Sequence, residues 1–499
     1  MRWELDWLAN RARLTPNVVA LIDAEEENKW TFAELNQLCQ ETANWLYRHG
    51  VRKGDRIALL SPNNVCYFQL LCACMKLGAV FVPINWRLSF HEIAYILQDC
   101  SPKLIGFHES FKENMENELF KPYQIFQLSE LDFEKGSLSW DGVLTLQEEE
   151  PLAIIYTGGT TGKPKGVVLS HRSIIWNGIN TIISWNLTNE DTTLTYMPLF
   201  HTGGLNALSI PILMAGGKVV IANDFKPEAA IHNINAHQCT IVLLVPTMYQ
   251  MMVETSAFKE NTFASMKTFL SGGAPCPLEI YEAFHKKGIL FKEGYGLTEA
   301  GPNNFFIDPK DAIHKLGSVG KPMIFNSIKL INANGEEPLA NEVGEVLIKG
   351  KHSFEYYWNN KKATAETMKD GWIFTGDLAK KDEEGYFYIV GRKKDMIITG
   401  GENVYPLEVE HCLASHPLVD EVAVIGLSDR KWGEMVTAFV VLKTDGALSS
   451  EELKTYCSYK LGTYKIPKVF HFLSELPKTH VGKIDKKRLH EIGIERLVK

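Results

Sequence analysis

Residues 154–166 read Ile-Ile-Tyr-Thr-Gly-Gly-Thr-Thr-Gly-Lys-Pro-Lys-Gly, a short apolar stretch that runs into a loop of glycines, threonines and lysines. Glycines let a backbone approach a phosphate closely and expose its N–H groups. Threonine hydroxyls and lysine ammonium groups add donors and positive charge. The segment therefore predicts a polyphosphate-binding loop after a buried strand, rather than a glycine-rich surface turn. The residues expected to contact phosphate are Thr157, Gly158, Gly159, Thr160, Thr161, Gly162, Lys163 and Lys165.

Two common nucleotide-binding motifs do not describe this loop. A Walker loop requires Ser or Thr after its lysine, whereas Pro164 follows Lys163 here. The Gly-x-Gly-x-x-Gly fingerprint of dinucleotide-binding folds is also missing from the segment. The sequence therefore indicates a phosphate site of a different kind.

Strand-like and helical patterns alternate on both sides of the loop, through the first 390 residues. Arg56–Leu60 and 79–84 read as buried strands, and the apolar residues of 66–78 between them have helical spacing. A strand, loop, helix and strand in succession predict a mostly parallel sheet. The expected fold class is α/β, with residues 1–391 forming a large N-terminal domain of mixed or parallel sheets flanked by helices.

The pattern changes after residue 391. Residues 391–395 are Gly-Arg-Lys-Lys-Asp, a charged stretch without strong periodicity. Beyond them the sequence predicts a small α+β domain, residues 392–499, which is slightly basic where the first domain is acidic. Its expected elements are a helix over 406–415, strands over 421–426 and 436–442, and a helix near 449–461.

Charge, cysteine content and hydropathy exclude several classes of protein. The chain has 499 residues and a net charge of -8, so no overall basic field favours nucleic acid or an anionic membrane. Nine cysteines, an odd number, have spacings that suit neither a zinc site nor a disulfide framework. The first residues lack a signal-peptide pattern, and no apolar run reaches the ~18 residues of a membrane span. A cytoplasmic protein with reduced thiols is expected.

Two further motifs carry groups that suit a nucleotide. Residues 293–299, Glu-Gly-Tyr-Gly-Leu-Thr-Glu, combine a base platform (Tyr295), a hydroxyl (Thr298) and a carboxylate (Glu299). A carboxylate is a hard oxygen ligand of the kind that Mg²⁺ prefers. Residues 371–377, Gly-Trp-Ile-Phe-Thr-Gly-Asp, end on a carboxylate that can accept both hydroxyls of a ribose. Each motif alone would more often be a solvated loop or turn carboxylate, so their order along the chain is the specific signal.

Taken in order, these motifs resemble those of the AMP-forming adenylate synthetases, which include acyl-CoA ligases, peptide-synthetase adenylation domains and firefly-type luciferases. The resemblance extends over about residues 150–490. The family usually has Ser where this chain has Gly158, and some fatty-acyl ligases share the glycine. The resemblance implies a carboxylic acid substrate, together with ATP, Mg²⁺ and coenzyme A.

The resemblance also assigns residues of the large domain to roles. Glu299 would hold magnesium, Thr298 would bind phosphate, and Asp377 would bind the ribose. His201, in Pro198–Gly204, would lie near the acyl pocket and the reacting carboxylate. The remaining AMP-binding residues would be Gly273, Ala274, Pro275, Tyr295, Gly296 and Arg392, and the acyl pocket would include Gly203, Gly204, Leu205, Gly272, Ala300 and Gly301.

In the small domain the resemblance singles out a catalytic lysine, a hinge and a thioester set. Lys483, in Gly-Lys-Ile, would be the catalytic lysine, because a fixed ammonium can neutralise both the attacking carboxylate and the α-phosphate. The hinge would lie at Lys394, within residues 392–395. The small domain would rotate about this hinge, replacing Lys483 at the adenylate with the thioester set. That set would be Gly400, Gly401, Glu402, Asn403 and Trp432.

The predicted activity is an ATP-dependent acid–CoA ligase that forms acyl-AMP and then acyl-CoA. Small residues near the pocket mouth, together with Gly158, favour a medium- or long-chain fatty acid. Alternatives are a ligase for an aryl acid of the o-succinylbenzoate or benzoate type, which a cation in the pocket would indicate, and an enzyme that loads an acyl carrier protein. A luciferase and a non-catalytic nucleotide-binding regulator are further options, although retention of Glu299, Asp377, Arg392 and Lys483 argues against the regulator. A homodimer also remains open.

Overall fold

In the computed structural model, residues 5–131, 145–158, 163–444, 446, 448–479 and 484–497 are described, and they form six β-sheets with helices packed around them. The chain has a mixed α/β fold, with a large N-terminal domain followed by a small C-terminal one. No helix in the described ranges is long and apolar enough to span a bilayer. All nine cysteines are free thiols, and eight of them are buried.

The first part of the chain builds most of a seven-stranded sheet. The buried strand predicted at 56–60 is present, and so are the helix and the strand predicted after it. The helix that begins at Phe32 is capped by Thr31, whose hydroxyl and backbone amide exchange hydrogen bonds with Glu34 in a capping box. The elements are α1 (Trp7–Leu14), β1 (Val19–Asp23), β2 (Lys29–Thr31), α2 (Phe32–Arg48), β3 (Arg56–Leu60), α3 (Cys66–Leu77), β4 (Val80–Ile84), α4 (Phe90–Cys100), β5 (Leu104–Phe107), β6 (Ile125–Gln127), β7 (Pro151–Thr157), β8 (Lys165–Ser170) and α5 (His171–Trp185).

The middle of the chain adds a three-stranded parallel sheet and a helix that begins beside the predicted acyl pocket. Leu205–Ser209 forms a π-helical turn that joins two short helices into one continuous run. Such turns often occur at functional sites. The elements are β9 (Thr192–Thr195), α6 (Thr202–Gly204), α7 (Ile210–Ala215), β10 (Lys218–Ile221), α8 (Pro227–Ala236), β11 (Ile241–Leu244), α9 (Pro246–Val253), α10 (Ser256–Glu260), β12 (Thr268–Ser271), α11 (Leu278–Lys286), β13 (Phe291–Glu293), β14 (Phe305–Phe306), α12 (Pro309–Ala312) and β15 (Lys321–Pro322).

Residues 327–392 differ from the expectation of a strand–helix alternation that continues to residue 390. They form an antiparallel five-stranded sheet. Residues 382–386 join its last two strands, a connection shorter than the dozen or more residues that a parallel crossover needs. The elements are β16 (Ser327–Ile331), β17 (Val343–Lys349), β18 (Tyr356–Tyr357), α13 (Lys361–Thr367), β19 (Met368–Lys369), β20 (Trp372–Lys381) and β21 (Phe387–Arg392), of which β18 joins the seven-stranded sheet.

The last hundred residues form an α+β unit, as predicted, around a separate sheet. Its strand order is β23-β22-β25-β24, and β26 runs parallel to β25. The two predicted helices and two predicted strands are present, but three other strands and a C-terminal helix were not foreseen. The elements are β22 (Ile397–Thr399), β23 (Glu402–Val404), α14 (Pro406–Ala414), β24 (Val419–Asp429), β25 (Gly433–Leu442), α15 (Ser450–Ser458), β26 (Val469–Phe472) and α16 (Lys486–Leu497).

Sheet topology determines where the loops meet. The seven-stranded sheet has the order β18-β8-β7-β4-β3-β5-β6. Strands β7, β4, β3, β5 and β6 are parallel, whereas β8 is antiparallel to β7, and β18 to β8. Strands β11, β12 and β13 are parallel to one another. Ligands of open α/β sheets bind beyond the carboxyl ends of parallel strands.

Candidate active site

Two of the predicted motifs leave the three-stranded sheet side by side. Strands β12 and β13 pair in parallel with Ser271 opposite Glu293, and the amide of Gly294 donates to the carbonyl of Ser271 at 2.9 Å. The segments 272–275 and 294–299 therefore begin at one sheet edge. Gly273, at φ 83°, Ala274 and Pro275 are exposed there. They leave an open backbone surface that suits a flat ring such as adenine.

The predicted ribose carboxylate lies at the centre of a hydrogen-bonded group. Asp377 is 8% exposed, and its Oδ2 accepts a hydrogen bond of 2.6 Å from Tyr295 Oη. Its Oδ1 lies 3.2 Å from the Nε of Arg392, because β20 and β21 place Asp377 opposite Arg392. Burial raises the pKa of Tyr295 well above its usual value, and the neighbouring Asp377 carboxylate raises it further. The phenol therefore stays protonated and serves as a donor.

Glu345 supports this group and was missed by the sequence analysis. One carboxylate oxygen accepts from the amide of Gly376 at 3.2 Å, and the other lies 2.8 Å from Lys393 Nζ. Both bonded residues are neighbours of Asp377 or Arg392 in sequence, so Glu345 holds the two strands that carry them. The available signal was a carboxylate in the middle of the apolar strand β17.

The predicted magnesium ligand is oriented by a tyrosine. Glu299 lies in a 3₁₀ turn, and its Oε1 accepts a hydrogen bond of 2.6 Å from Tyr357 Oη. The carbonyl of Glu299 also accepts from the amide of Phe354 at 2.8 Å. A half-buried carboxylate with one oxygen bonded and fixed backbone suits a hard cation, so the site fits Mg²⁺. Tyr357 was not predicted, because only strand pairing brings it here.

The phosphate loop connects two antiparallel strands. Strands β7 and β8 pair with Thr157 opposite Lys165. The Nζ of Lys165 lies 5.0 Å from the centre of the Tyr357 ring, and that of Lys163 lies 5.6 Å from the centre of the Tyr95 ring. Each of these two lysines therefore lies over the face of one aromatic ring. The predicted contacts Gly159, Thr160, Thr161 and Gly162 lie outside the described residues.

Residues of the predicted acyl pocket come together at the start of the π-helical run. Leu205 and Ala300 are fully buried, and His201 precedes α6. A Cβ on Gly204 would lie 2.3 Å from the carbonyl oxygen of Pro198, so only glycine fits. A Cβ on Gly296 would lie 2.1 Å from the carbonyl oxygen of Pro302. Close backbone contacts therefore shape this end of the site.

Asn177 of α5 links the two halves of this pocket and was also missed. Its Nδ2 donates to the carbonyl oxygen of Asn206 at 2.7 Å. On its other side, a Cβ on Gly301 would lie 3.0 Å from Asn177 Oδ1 and 3.0 Å from Cδ2 of His352. Gly301 has a φ of 75°, a region that favours glycine. Nothing in the sequence indicated which residue of α5 would contact Asn206 and Gly301.

The predicted thioester residues form one cluster. Gly400 and Gly401, with φ values of 61° and 87°, make the turn between β22 and β23, as a two-residue hairpin turn of this kind requires. The amide of Gly400 donates to the carbonyl of Trp432 at 2.8 Å, and the indole is 37% exposed. Glu402 and Asn403 follow in β23, both exposed.

The segment between the two domains lies close to the residues predicted to bind the nucleotide. The last strand of the antiparallel sheet ends at Arg392, and the next sheet begins at Ile397. Between them, burial lowers the pKa of Lys394, while Asp377 raises it and Lys486 lowers it. Lys486 belongs to α16, which begins just after Lys483. Lys483 itself lies outside the described residues.

Comparison with known proteins identifies relatives over nearly the whole chain. A family model described as AMP-binding enzyme matches residues 8–358, and one described as AMP-binding enzyme C-terminal domain matches residues 408–483. The chain is 36% identical to a feruloyl-CoA synthase of an Amycolatopsis species, over 96% of this chain and 97% of the relative. It is 34% identical to the indoleacetate–CoA ligase of Aromatoleum aromaticum, over 98% and 97% of the two chains.

A solved structure agrees with both domains. The o-succinylbenzoate CoA synthetase of Bacillus subtilis, in complex with its acyl-adenylate intermediate, is 35% identical. It superposes with a TM-score of 0.88 over 97% of each chain. The same synthetase has also been solved with ATP and a magnesium ion. The mixed α/β fold, with a large and a small domain, is therefore confirmed.

Proposed function

This chain belongs to the AMP-binding enzyme family and is an AMP-forming acid–thiol ligase, and we propose that its acid substrate is an aromatic carboxylate. The observation that carries the proposal is the set of relatives. The feruloyl, indoleacetate and o-succinylbenzoate ligases, each matched over at least 96% of this chain, are named for acids that contain an aromatic ring. These relatives favour the aryl-acid alternative over the medium- or long-chain fatty acid.

In the first half-reaction, a carboxylate oxygen bonds to the α-phosphorus of ATP and pyrophosphate leaves. Magnesium supplies neutralisation of the triphosphate when it is bound, and Glu299 would hold it. Asp377 and Arg392 would position the ribose, while Lys163 and Lys165 bring positive charge to the phosphate loop. Lys483 would neutralise the carboxylate and the α-phosphate as they approach.

In the second half-reaction, the thiol of coenzyme A bonds to the acyl carbon and AMP leaves. Coenzyme A, rather than a carrier protein, is the acceptor that the relatives' names support. We infer that the domains divide as 1–391 and 392–499 and that the chain bends near Lys394. The cluster of Gly400 and Trp432 would then approach the adenylate in place of Lys483, as the expected rotation requires.

The test measures pyrophosphate release and thioester formation with MgATP, with and without coenzyme A. The panel contains ferulate, indole-3-acetate, o-succinylbenzoate, benzoate, octanoate and palmitate. We expect release with at least one aromatic acid and thioester only when coenzyme A is present. Thioester formation with octanoate or palmitate, and with no aromatic acid, would refute the proposal. A fatty acid would then be the substrate.

A further inference from the structure

Two helices of the small domain bring a pair of thiols into contact. Cys412 lies in the last turn of α14 and Cys457 in the last turn of α15. Their Sγ atoms are 4.0 Å apart, although the two residues are 45 positions apart in sequence. The sulfur atoms of a disulfide are about 2 Å apart, so each side chain would have to move by only about 1 Å to form one.

Hydrogen bonds at the ends of the two helices hold this arrangement. Tyr456 Oη donates to the carbonyl oxygen of Ser415 at 2.8 Å, and Ser415 Oγ donates to the carbonyl oxygen of Cys412 at 2.7 Å. The Nζ of Lys460 donates to Tyr456 Oη at 2.7 Å and to Ser415 Oγ at 3.0 Å. The last turn of α14 is therefore fixed against α15, with an ammonium group beside it.

The surroundings of the two thiols make Cys412 the nucleophile of the pair. Cys412 is 8% exposed, whereas Cys457 is fully buried. The hydrogen bond with Cys457 lowers the pKa of the Cys412 thiol, and the Lys460 ammonium lowers it further, against the effect of burial. The same contact, together with burial, raises the pKa of Cys457. A thiolate therefore forms on the sulfur that solvent reaches, and the thiolate is the form that oxidants attack.

A second thiol contact, in the large domain, has different surroundings. Cys39 and Cys72 are hydrogen-bonded to each other, but they are 0% and 2% exposed. Burial raises the pKa of Cys39 well above its usual range. Of these two pairs, only the one in the small domain combines contact with a partly exposed thiol of lowered pKa. Cys39 and Cys72 therefore serve as an internal control.

We propose that Cys412 and Cys457 are a modification site, at which a peroxide oxidises the two thiols to a disulfide that joins α14 to α15. The Cys412 thiolate attacks one oxygen of hydrogen peroxide, the O–O bond breaks, and the leaving hydroxide takes up a proton to become water. The Cys457 sulfur then attacks the resulting sulfenic acid, the S–O bond breaks, and the Cys457 proton leaves with a second water. The two sulfurs lose two electrons, and the peroxide gains them.

The test exposes the reduced full-length protein to about one equivalent of hydrogen peroxide, blocks the remaining thiols with iodoacetamide, and digests the protein without reductant. Mass spectrometry should find a linked peptide that contains Cys412 and Cys457, about 2 Da lighter than its two free peptides together. Dithiothreitol should separate it. A link between Cys39 and Cys72 that forms as fast, or oxidation of Cys412 to sulfinic acid without any link, would overturn the proposal.

Two lysine variants test the activation of Cys412. Lys460→Gln removes the ammonium beside the thiol, so the initial rate of link formation at pH 7 should fall by about 3- to 10-fold. Lys454→Gln is the matched control, because Lys454 lies in α15 but pairs with Glu451 at 2.7 Å. The control should react at the wild-type rate. A fall of equal size in both variants, or in neither, would overturn the activation on which the proposal rests.

Three cysteine variants identify the reacting sulfurs. Cys412→Ser and Cys457→Ala should each abolish the link, whereas Cys66→Ser, which changes a more exposed cysteine, should retain it. A link that persists in either of the first two variants would overturn the proposal. Because the wild-type peptide already identifies both sulfurs, a variant that fails to fold does not obscure the result. The readout is a covalent bond in the small domain, so it is independent of which acid the enzyme ligates.

Discussion

Removal of a single hydroxyl tests whether the Tyr295–Asp377 bond positions ATP. In Tyr295→Phe the ring remains packed against Phe305, with ring centres 5.8 Å apart in the present structure. The change removes the hydrogen bond of 2.6 Å from the phenol to Asp377 Oδ2, together with the contact of the same hydroxyl with Thr375. Asp377 retains its contact with Arg392, so the carboxylate stays in the site but loses one of two anchors.

The size of the effect follows from the nature of that bond. A hydrogen bond to a buried charged group contributes about 1.5–3 kcal/mol, and about 2 kcal/mol corresponds to roughly 30-fold in binding. Because Arg392 is 53% exposed, water reaches that side of the carboxylate and offsets part of the loss. We therefore expect KM for ATP to rise by about 10- to 30-fold, with kcat reduced by less than about threefold.

The assay is pyrophosphate release at saturating acid with varied MgATP, and thermal unfolding checks that the variant is folded. Tyr386→Phe is the control, because Tyr386 donates to Asp311 at 2.9 Å outside the predicted site. An unchanged KM for ATP in Tyr295→Phe would refute the reasoning. An equal rise in both variants would attribute the effect to general loss of stability.

Two further predictions concern the half-reactions and the carboxyl group of Glu293. Lys483→Ala should abolish acyl-AMP formation, while thioester formation from supplied acyl-AMP persists. Lys394→Pro should retain acyl-AMP formation and lose thioester formation. Rapid-quench assays measure each half-reaction separately, and loss of the same step in both variants would contradict the prediction. Burial raises the pKa of Glu293 to about 7, so the folded protein holds this proton more tightly than the unfolded chain. The stability advantage of the wild type over Glu293→Gln should therefore be fully present below about pH 4.5 and decline by about 3 kcal/mol as the pH rises through 7. Urea titrations of both proteins give this difference, and a constant value would contradict it.

Local elements were predictable because neighbouring residues determine them. The spacing of Thr31 and Glu34 is a capping-box pattern, and the structure forms both of its hydrogen bonds. The apolar run of 66–78 has a helical period and becomes α3. Strand–loop junctions such as the one at Thr157 were visible for the same reason. These features depend on contacts within about four residues.

The partners of the site residues could not be predicted, because strand pairing determines them. Tyr357 reaches Glu299 only because β18 pairs with β8, across a sequence separation of 58 residues between the two side chains. Asn177 meets Gly301 only through the packing of α5. Glu345 was the one partner with a local signal, a carboxylate in a buried strand. The motifs thus indicate which groups bind, while the fold determines what orients them.

The position of the phosphate loop in a hairpin changes the source of its positive charge. A Walker loop leads into a helix, whose N-terminus supplies charge and free N–H groups. Here the loop leads into β8, and α5 begins only after that strand, at His171. The positive charges in the described part of the loop are the two lysines, Lys163 and Lys165. Lys165 is set by strand pairing and by the ring of Tyr357, whose hydroxyl also binds Glu299. Tyr357 thus contacts both a lysine that is proposed to bind the phosphates and a carboxylate that is proposed to hold their metal.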